Sequence, residues 1–452
     1  IEKTGDAYVV SALLLDPQTG SPLKSESARA ASQPEVLSAL DEVSRKVRRD
    51  LGELTGSIAT SARPLVQVTT SSLEALRLFS LGLDETRQGK FEEGRVFYER
   101  ALQTDPTFTS ARGALGMVEF ELFDKEKGRA LLAECLQGVD ALTDKEQYNI
   151  RAFYATVVDH DLPKAVQYWK ALITLYPDAS AAHNNLGRVY LFMNRYEDAS
   201  AAFKEAIRLD PYMMPSYFNL ETIYLEQQGD PAAAAALSQQ QLTYNDQDVW
   251  AYVHLGWANL GLGRLDEARR AFERALDLRS PVMSPILGGL GATYRLLDRH
   301  ADALRVFQRA QEVNKEETWA YYDAGVECLL MNDEPAAREQ LDRFRRATEE
   351  RLARDPKNGQ YYYDLALAWT RLGNPAKGWA LGQRAGALDA TNDFDRARLL
   401  NLQGRGDEAL DALNLAVKRG FRDFIRMRIE PDLASLAGDP RFEQLLKGLR
   451  RS

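Results

Sequence analysis

Between Ser180 and Pro211 the chain reads SAAHNNLGRVYLFMNRYEDASAAFKEAIRLDP, and the reading of this stretch decides the fold. Small residues, Gly187, Ala199 and Ala206, are interleaved with the large apolar residues Leu186, Tyr190 and Phe203, and Pro211 closes the run. Helices that pack about 8–10 Å apart need small side chains where their backbones approach. Gly187, Ala199 and Ala206 supply them, while Tyr190 and Phe203 fill the spaces between. The stretch reads as two packed helices, a hairpin ended by proline.

The same order of residues returns along the chain. Gly82 and Gly116 are 34 residues apart, Gly187 falls close to the same frame two units on, and Gly256 and Gly291 follow at 35. In this frame first helices are expected around Gly82, Gly116, Phe153, Gly187, Glu221, Gly256, Gly291, Gly325, Ala366 and Ala397, which makes about ten hairpins between Leu73 and Leu415. Pro106 and Pro177 end second helices as Pro211 does. The period and the residues resemble the tetratricopeptide repeat, whose hairpins stack into a superhelix with a long curved surface suited to binding. The expected fold class is all-α, a tetratricopeptide-repeat superhelix with a small α/β element in front. The frame is strained at Asp140–Gln147, in the long helix that runs from Ala336 to Arg354, and in the last two, shorter units.

The first sixty residues follow another period. Tyr8–Leu15 is rich in strand formers, Asp16-Pro17-Gln18-Thr19-Gly20 is a turn cluster, and Ser21–Ala28 returns as a second strand. Gln33-Pro34 opens an amphipathic helix on which Val36, Leu37, Leu40, Val43, Val47 and Leu51 share a face. A hairpin and one helix are marginal alone, so this element must pack on the first repeat, on a partner or on further sequence. The organisation expected is an α/β element over 1–56, a Ser/Thr-rich linker with Pro64 over 57–70, repeats over 71–420, and a capping segment over 421–452 that covers the last apolar face.

Hydrophobic residues make up 45% and charged residues 27% of 452, the balance of a globular protein. The net charge is −9, and basic and acidic residues are interleaved, so the basic footprint that nucleic acid needs is missing. Cys135 and Cys328 fall on helix faces among small apolar residues and are expected to be buried free thiols. No stretch approaches the ~18 apolar residues of a membrane span, and direct membrane insertion by this segment is not expected. The first residue is Ile1, which suggests a fragment or a processed product.

Tyr8-Val9-Val10-Ser11-Ala12-Leu13-Leu14-Leu15-Asp16 with Thr19-Gly20, then Thr69-Thr70-Ser71-Ser72-Leu73-Glu74-Ala75-Leu76, Leu142-Thr143-Asp144-Lys145-Glu146, His183-Asn184-Asn185-Leu186-Gly187 and Asp439-Pro440-Arg441-Phe442 carry a wider resemblance. Together they resemble the C-terminal, non-kinase repeat region of bacterial, acidobacterial-type serine/threonine-protein-kinase-like and adenylate-cyclase-like repeat proteins. That resemblance implies an α/β element with further strands before Tyr8, a role in the sensory or assembly part of a larger signalling protein, and a place outside the cytoplasm or tethered to a membrane.

No catalytic, cofactor or metal site is read from the chain, and it is not expected to be an enzyme. A kinase needs a Gly-rich loop, a strand lysine, an H-R-D catalytic loop and a D-F-G metal ligand. Gly288-Gly289-Leu290-Gly291 matches the loop only in composition, inside a helical repeat. His160, His183, His254 and His300 lie in different repeats without metal-ligand spacing, and Glu92-Glu93 and Glu349-Glu350 read as exposed helix faces. The candidate site is a groove for a protein or peptide partner, lined by Asn184, Asn185 and Arg188, then Phe218, Asn219 and Thr222, then Val253, His254 and Trp257. Asn can both donate and accept along an extended backbone, and Arg188 can fork onto a carboxylate; the other reading is that these amides bridge neighbouring helices. Trp250, Trp257, Trp319, Tyr321, Tyr322, Tyr361, Tyr362, Tyr363 and Trp369 form a second, aromatic candidate surface. Self-association into an oligomer or filament, end to end through the solenoid ends or through a strand edge left open near Ile1–Leu15, is the alternative.

Overall fold

Strand-forming residues at the start of the chain build a three-stranded antiparallel sheet in the order β1 (Glu2–Thr4), β2 (Ala7–Leu15), β3 (Pro22–Ala30). A computed structural model describes the chain except residues 6, 17–18, 52–69, 88–89, 279–282, 316 and 451–452. Val10, Ala28 and Ala30 point to one face of the sheet, where helix α1 (Val36–Asp50) covers them with Val36, Ala39 and Val43. Leu73 of the first hairpin packs against the same cluster, so the element rests on the repeats. The strand edge expected to be open is partly covered: β1 pairs with β2 through Glu2↔Val9, Lys3↔Tyr8 and Thr4↔Ala7. That short strand was invisible in the sequence because three residues carry no alternation to read. The expected linker lies, up to residue 69, outside the described residues.

Among the described residues, twenty helices between Leu73 and Lys418 follow in succession as first and second helices of ten hairpins, and each first helix contains its expected frame residue. The chain divides into two compact units, Ile1–Asn194 and Arg195–Ser452. The first holds the sheet, the hairpins Leu73–Arg87/Phe91–Thr104, Thr109–Leu122/Lys125–Gly138 and Asp144–Val157/Leu162–Leu175, and the helix Ser180–Phe192. The second begins with Tyr196–Leu209 and continues with hairpins five to ten. These are Met214–Thr222/Pro231–Tyr244, Val249–Leu262/Leu265–Asp277, Met283–Leu296/His300–Val313, Trp319–Leu330/Glu334–Arg354, Gly359–Arg371/Pro375–Leu388 and Asp393–Leu402/Gly406–Lys418.

The glycine frame has a direct cause. A large residue sixteen places on, in the second helix, lies against five of the frame glycines: Tyr98 on Gly82, Leu132 on Gly116, Phe272 on Gly256, Phe307 on Gly291 and Leu341 on Gly325. A Cβ added at these glycines would fall 2.3–2.9 Å from that side chain, so no larger residue fits without overpacking. In the ninth hairpin both positions are small, Ala366 in the first helix and Gly382 in the second, and Leu399 of the tenth hairpin lies against Gly382. Ala199 and Ala206 are fully buried, as are the free thiols Cys135 and Cys328; burial pushes the Cys135 thiol up to about 12. Among the described residues no helix is long and apolar enough to cross a membrane.

The strained junctions have local explanations. Before the third hairpin a short turn, Val139–Ala141, leads to a capping box in which Thr143 and Glu146 satisfy each other's backbone. The second helix of the eighth hairpin is drawn out to Glu334–Arg354. The fifth hairpin departs in a way its sequence did not show: its first helix widens into a π-helical turn over Ile223–Gln227. Residues 421–452 do more than cover the last hairpin. A short helix, Phe424–Ile429, and the turn Pro431–Leu436 run back along the face formed by the first helices, before a closing helix at Pro440–Leu449. Phe424, Ile425, Met427, Leu433 and Leu436 join one core with residues of hairpins five, six and ten.

Candidate functional site

At Glu221 the frame position, a glycine or alanine in every other hairpin but the third, which has Phe153, holds a carboxylate, and a polar network compensates for it. Ser238 Oγ donates to Glu221 Oε1 at 2.5 Å, and His254 Nδ1 lies 2.6 Å from Oε2. Burial raises the Glu221 carboxyl above its ordinary range, against the pull of His254 and Ser238. His254 is thereby held against the rings of Phe218 and Trp250, at centroid distances of 5.1 and 5.9 Å, and Phe218 meets Trp250 edge-on at 4.9 Å.

These rings form one wall of a cavity of about 390 Å³ in the unit 195–452. Thr222, Leu225, Glu226, Val253 and Trp257 continue the lining from hairpins five and six, and Asp423, Ile425, Arg426 and Ile429 supply the opposite side. A second cavity, of about 450 Å³, shares Trp257, Arg426 and Ile429 with the first and extends past Arg295, Asp323, Asp364 and Glu430. Both lie between the first helices and the returning segment. Burial raises Asp364 to about 6, with a hydrogen bond from Gln360 opposing it.

What anchors the segment is Asp432. Its carboxylate accepts from Tyr322 Oη at 2.8 Å, from Arg398 Nη2 at 2.8 Å and from both Nε and Nη2 of Arg371, while Asn401 Nδ2 donates to its backbone carbonyl at 2.6 Å. Burial works to raise Asp432, but Arg371, Arg398 and their hydrogen bonds hold it below the ordinary range. Neighbouring Glu430 is raised to about 7 by burial, with Arg398 opposing and Asp432 reinforcing the shift. Arg428 Nη1 donates to Gly261 O at 2.6 Å.

The sequence-read groove residues divide between two settings. Phe218, Thr222, Val253, His254 and Trp257 line the 390 Å³ cavity. Asn219 lies outside that lining and donates to Pro215 O within its own helix at 2.8 Å. In the unit 1–194, Asn184 is buried and donates to Asn185 Oδ1 at 3.3 Å, and Arg188 Nη2 binds Glu121 Oε1 at 2.7 Å. Asn185 and Arg188 line a crevice of only about 10 Å³, room for at most a single water. Sequence reasoning singled out none of Glu226, Asp423, Arg371, Arg398 and Asp432 as site residues. The signal available was Glu221, an acid where the frame calls for a small residue.

Tetratricopeptide repeat models match residues 180–213, 225–279, 253–317 and 393–414. The hairpins within these residues match tetratricopeptide repeats. The chain is 25% identical over 278 residues to the Protein CTR9 homolog of Arabidopsis thaliana, a match that covers 58% of this chain and 24% of that protein. It is 23% identical over 283 residues to anaphase-promoting complex subunit 3 of Schizosaccharomyces pombe, covering 60% of this chain and 40% of the other. The chain thus spans between a quarter and two fifths of the length of these relatives. The crystal structure of the APC/C hetero-tetramer Cut9-Hcn1 aligns with a TM-score of 0.41 at 15% identity, covering 92% of this chain and 84% of that one. Repeats of this kind are scaffolds typical of protein–protein interaction.

Proposed function

We propose that this chain is a non-catalytic interaction scaffold that holds a protein or peptide partner on the face formed by the first helices of hairpins five to ten. One observation carries the reading: that face already holds a stretch of polypeptide, residues 424–436, through residue-specific contacts at Asp432 and Arg428. A surface that positions one main chain by directed hydrogen bonds has the chemistry to recognise another. The resemblance to the repeat regions of kinase-like and cyclase-like proteins supports placing the scaffold in the sensory or assembly part of a larger signalling protein, outside the cytoplasm or tethered to a membrane.

Affinity capture with the full chain and with Phe218→Ala/Trp250→Ala tests the site. Partners recovered by the parent and lost by a variant of unchanged melting temperature support this face; equal recovery moves the site elsewhere. A second reading, self-association through the N-terminal sheet, is favoured by Leu13, Leu15 and Leu23, which are 58%, 51% and 65% exposed. Among the described residues Val10–Leu15 also lack a strand partner on the β1 side. Such an edge accepts a strand from another chain.

A further inference from the structure

The cavity between hairpins five and six and the returning segment has an imbalance that its geometry does not resolve. Its lining combines the aromatic rings of Phe218, Trp250 and Trp257 with aliphatic side chains, and includes two carboxylates, Glu226 and Asp423. The cations nearby are already engaged. The Arg426 guanidinium lies 4.8 Å from the ring centroid of Phe394 and 3.9 Å from Asp395 Oδ1, and the His254 imidazole is held by Glu221. Asp423 Oδ1 accepts from Arg426 N and caps the helix Phe424–Ile429. The Glu226 side chain is exposed at the rim of the cavity and makes neither a hydrogen bond nor an ion pair with the described residues.

The placement of Glu226 has a structural cause. It sits on the π-helical turn Ile223–Gln227. One residue more per turn shifts the following side chains by about 100° around the axis, and such turns are frequent at functional sites. The turn closes at Gly229, whose φ of 57° and close approach to the Leu449 carbonyl leave no room for a side chain. Partial desolvation at the rim, then repulsion from Asp423, raises the Glu226 carboxyl against the pull of His254, and desolvation raises Asp423 against the pull of Arg426. A cation entering between them would relieve both effects.

We propose that this cavity receives a lysine or arginine side chain of a partner polypeptide, its apolar stem against Phe218, Trp250 and Trp257 and its charged end between Glu226 and Asp423. Aromatic faces attract cations, most strongly when the site is shielded from water, and the carboxylates add the directed hydrogen bonds that an ammonium or guanidinium requires. The volume of about 390 Å³ is within the range of ligand pockets. The cavity opens beside residues 424–436, so a second stretch of polypeptide laid along this face would pass its mouth. The inference deepens the scaffold reading and rests on it.

Trp250 and Trp257 provide a built-in probe. The full chain is titrated with the capped tripeptides Ala-Arg-Ala, Ala-Lys-Ala and Ala-Glu-Ala and with n-butylguanidinium, following tryptophan fluorescence and heat. The basic peptides are expected to saturate the signal and the acidic peptide to leave it unchanged. Glu226→Gln should weaken the basic peptides about tenfold, with Asp423→Asn, which keeps a capping oxygen, as the second variant. No saturable binding, or equal binding by both variants at unchanged melting temperature, overturns the proposal. Tighter binding of n-butylguanidinium than of Ala-Arg-Ala also overturns it, by making the occupant a free small cation. Loss of tripeptide binding on Glu226→Gln with undiminished partner capture would leave the scaffold standing and remove only this pocket from its interface.

Discussion

Asp432 and Glu226 are carboxylates on the same face of the unit 195–452, with opposite surroundings. Asp432 is buried and accepts from two guanidinium groups and a tyrosine hydroxyl, all from first helices. Glu226, exposed at a cavity lined in part by aromatic rings, faces a second acid, while Arg426 and His254 of the same lining lie against Asp395 and Glu221. The difference teaches how such a face can be both filled and available. Where charges match, the chain binds itself; where they do not, it leaves a place for something else.

The comparison breaks most sharply at Asp432. Asp432→Ala leaves Arg371 in the interior without its carboxylate and takes from Arg398 one of three, Asp395 and Glu430 remaining, and removal of one partner of a buried ion pair costs about 3–5 kcal/mol. Urea unfolding should show that loss; a change below about 1 kcal/mol would place Asp432 among ordinary surface ion pairs.

The next effect is one of pH. Glu430 is raised from 4.5 to about 7 and Asp364 from 3.8 to about 6, so the folded chain binds these protons more tightly than the unfolded one. Their contribution is full below the unfolded values and is lost as pH rises through about 6 and then 7. Asp432, held low, acts in the opposite sense: its contribution is present above 3.8 and is lost as pH falls through its depressed folded value. Unfolding midpoints measured from about pH 5 to pH 8 should decline, and Glu430→Gln should flatten the decline. An unaltered slope in that variant would mean that Arg398 keeps Glu430 charged throughout.

The smallest effect is expected at Glu226. Without a partner to lose, Glu226→Gln should alter stability by no more than about 0.5 kcal/mol in either direction. A loss beyond about 1 kcal/mol would show that the carboxylate supports the π-helical turn, and would erase the contrast with Asp432.

The repeats were legible because their cause is local and recurrent. The contact of Gly82 with Tyr98 is repeated by Gly256 with Phe272 and Gly291 with Phe307, and periodic contacts leave a periodic text. Phe218, Thr222, His254 and Trp257 were found for the same reason, since equivalent positions on successive first helices share a face. Asp432 was not, because its partner Tyr322 is 110 residues away and Arg371 is 61. Nothing near Glu430-Pro431-Asp432-Leu433 announces which side of the array that segment will take. The π-helical turn escaped because it arises from tertiary packing around Gly229 and Leu449, not from a pattern within Ile223–Gln227. Asn184 and Arg188 show the limit of reading inner-face positions alone: Asn184 is buried, and Glu121, outside their helix, binds Arg188.

Hairpins that touch only their neighbours melt one after another, and stability is then close to a sum of local terms. Residues 424–436 impose a different behaviour, because they join Gly261 in the sixth hairpin to Tyr322 in the eighth, Arg371 in the ninth and Arg398 and Asn401 in the tenth. Opening any of these hairpins exposes an anchor shared with the others, so the stretch opens as one cooperative block rather than by fraying from its last repeat. Cooperativity of this kind is acquired late in folding. The Arg428–Gly261 contact closes a loop of 167 residues, and contacts so distant in sequence form slowly.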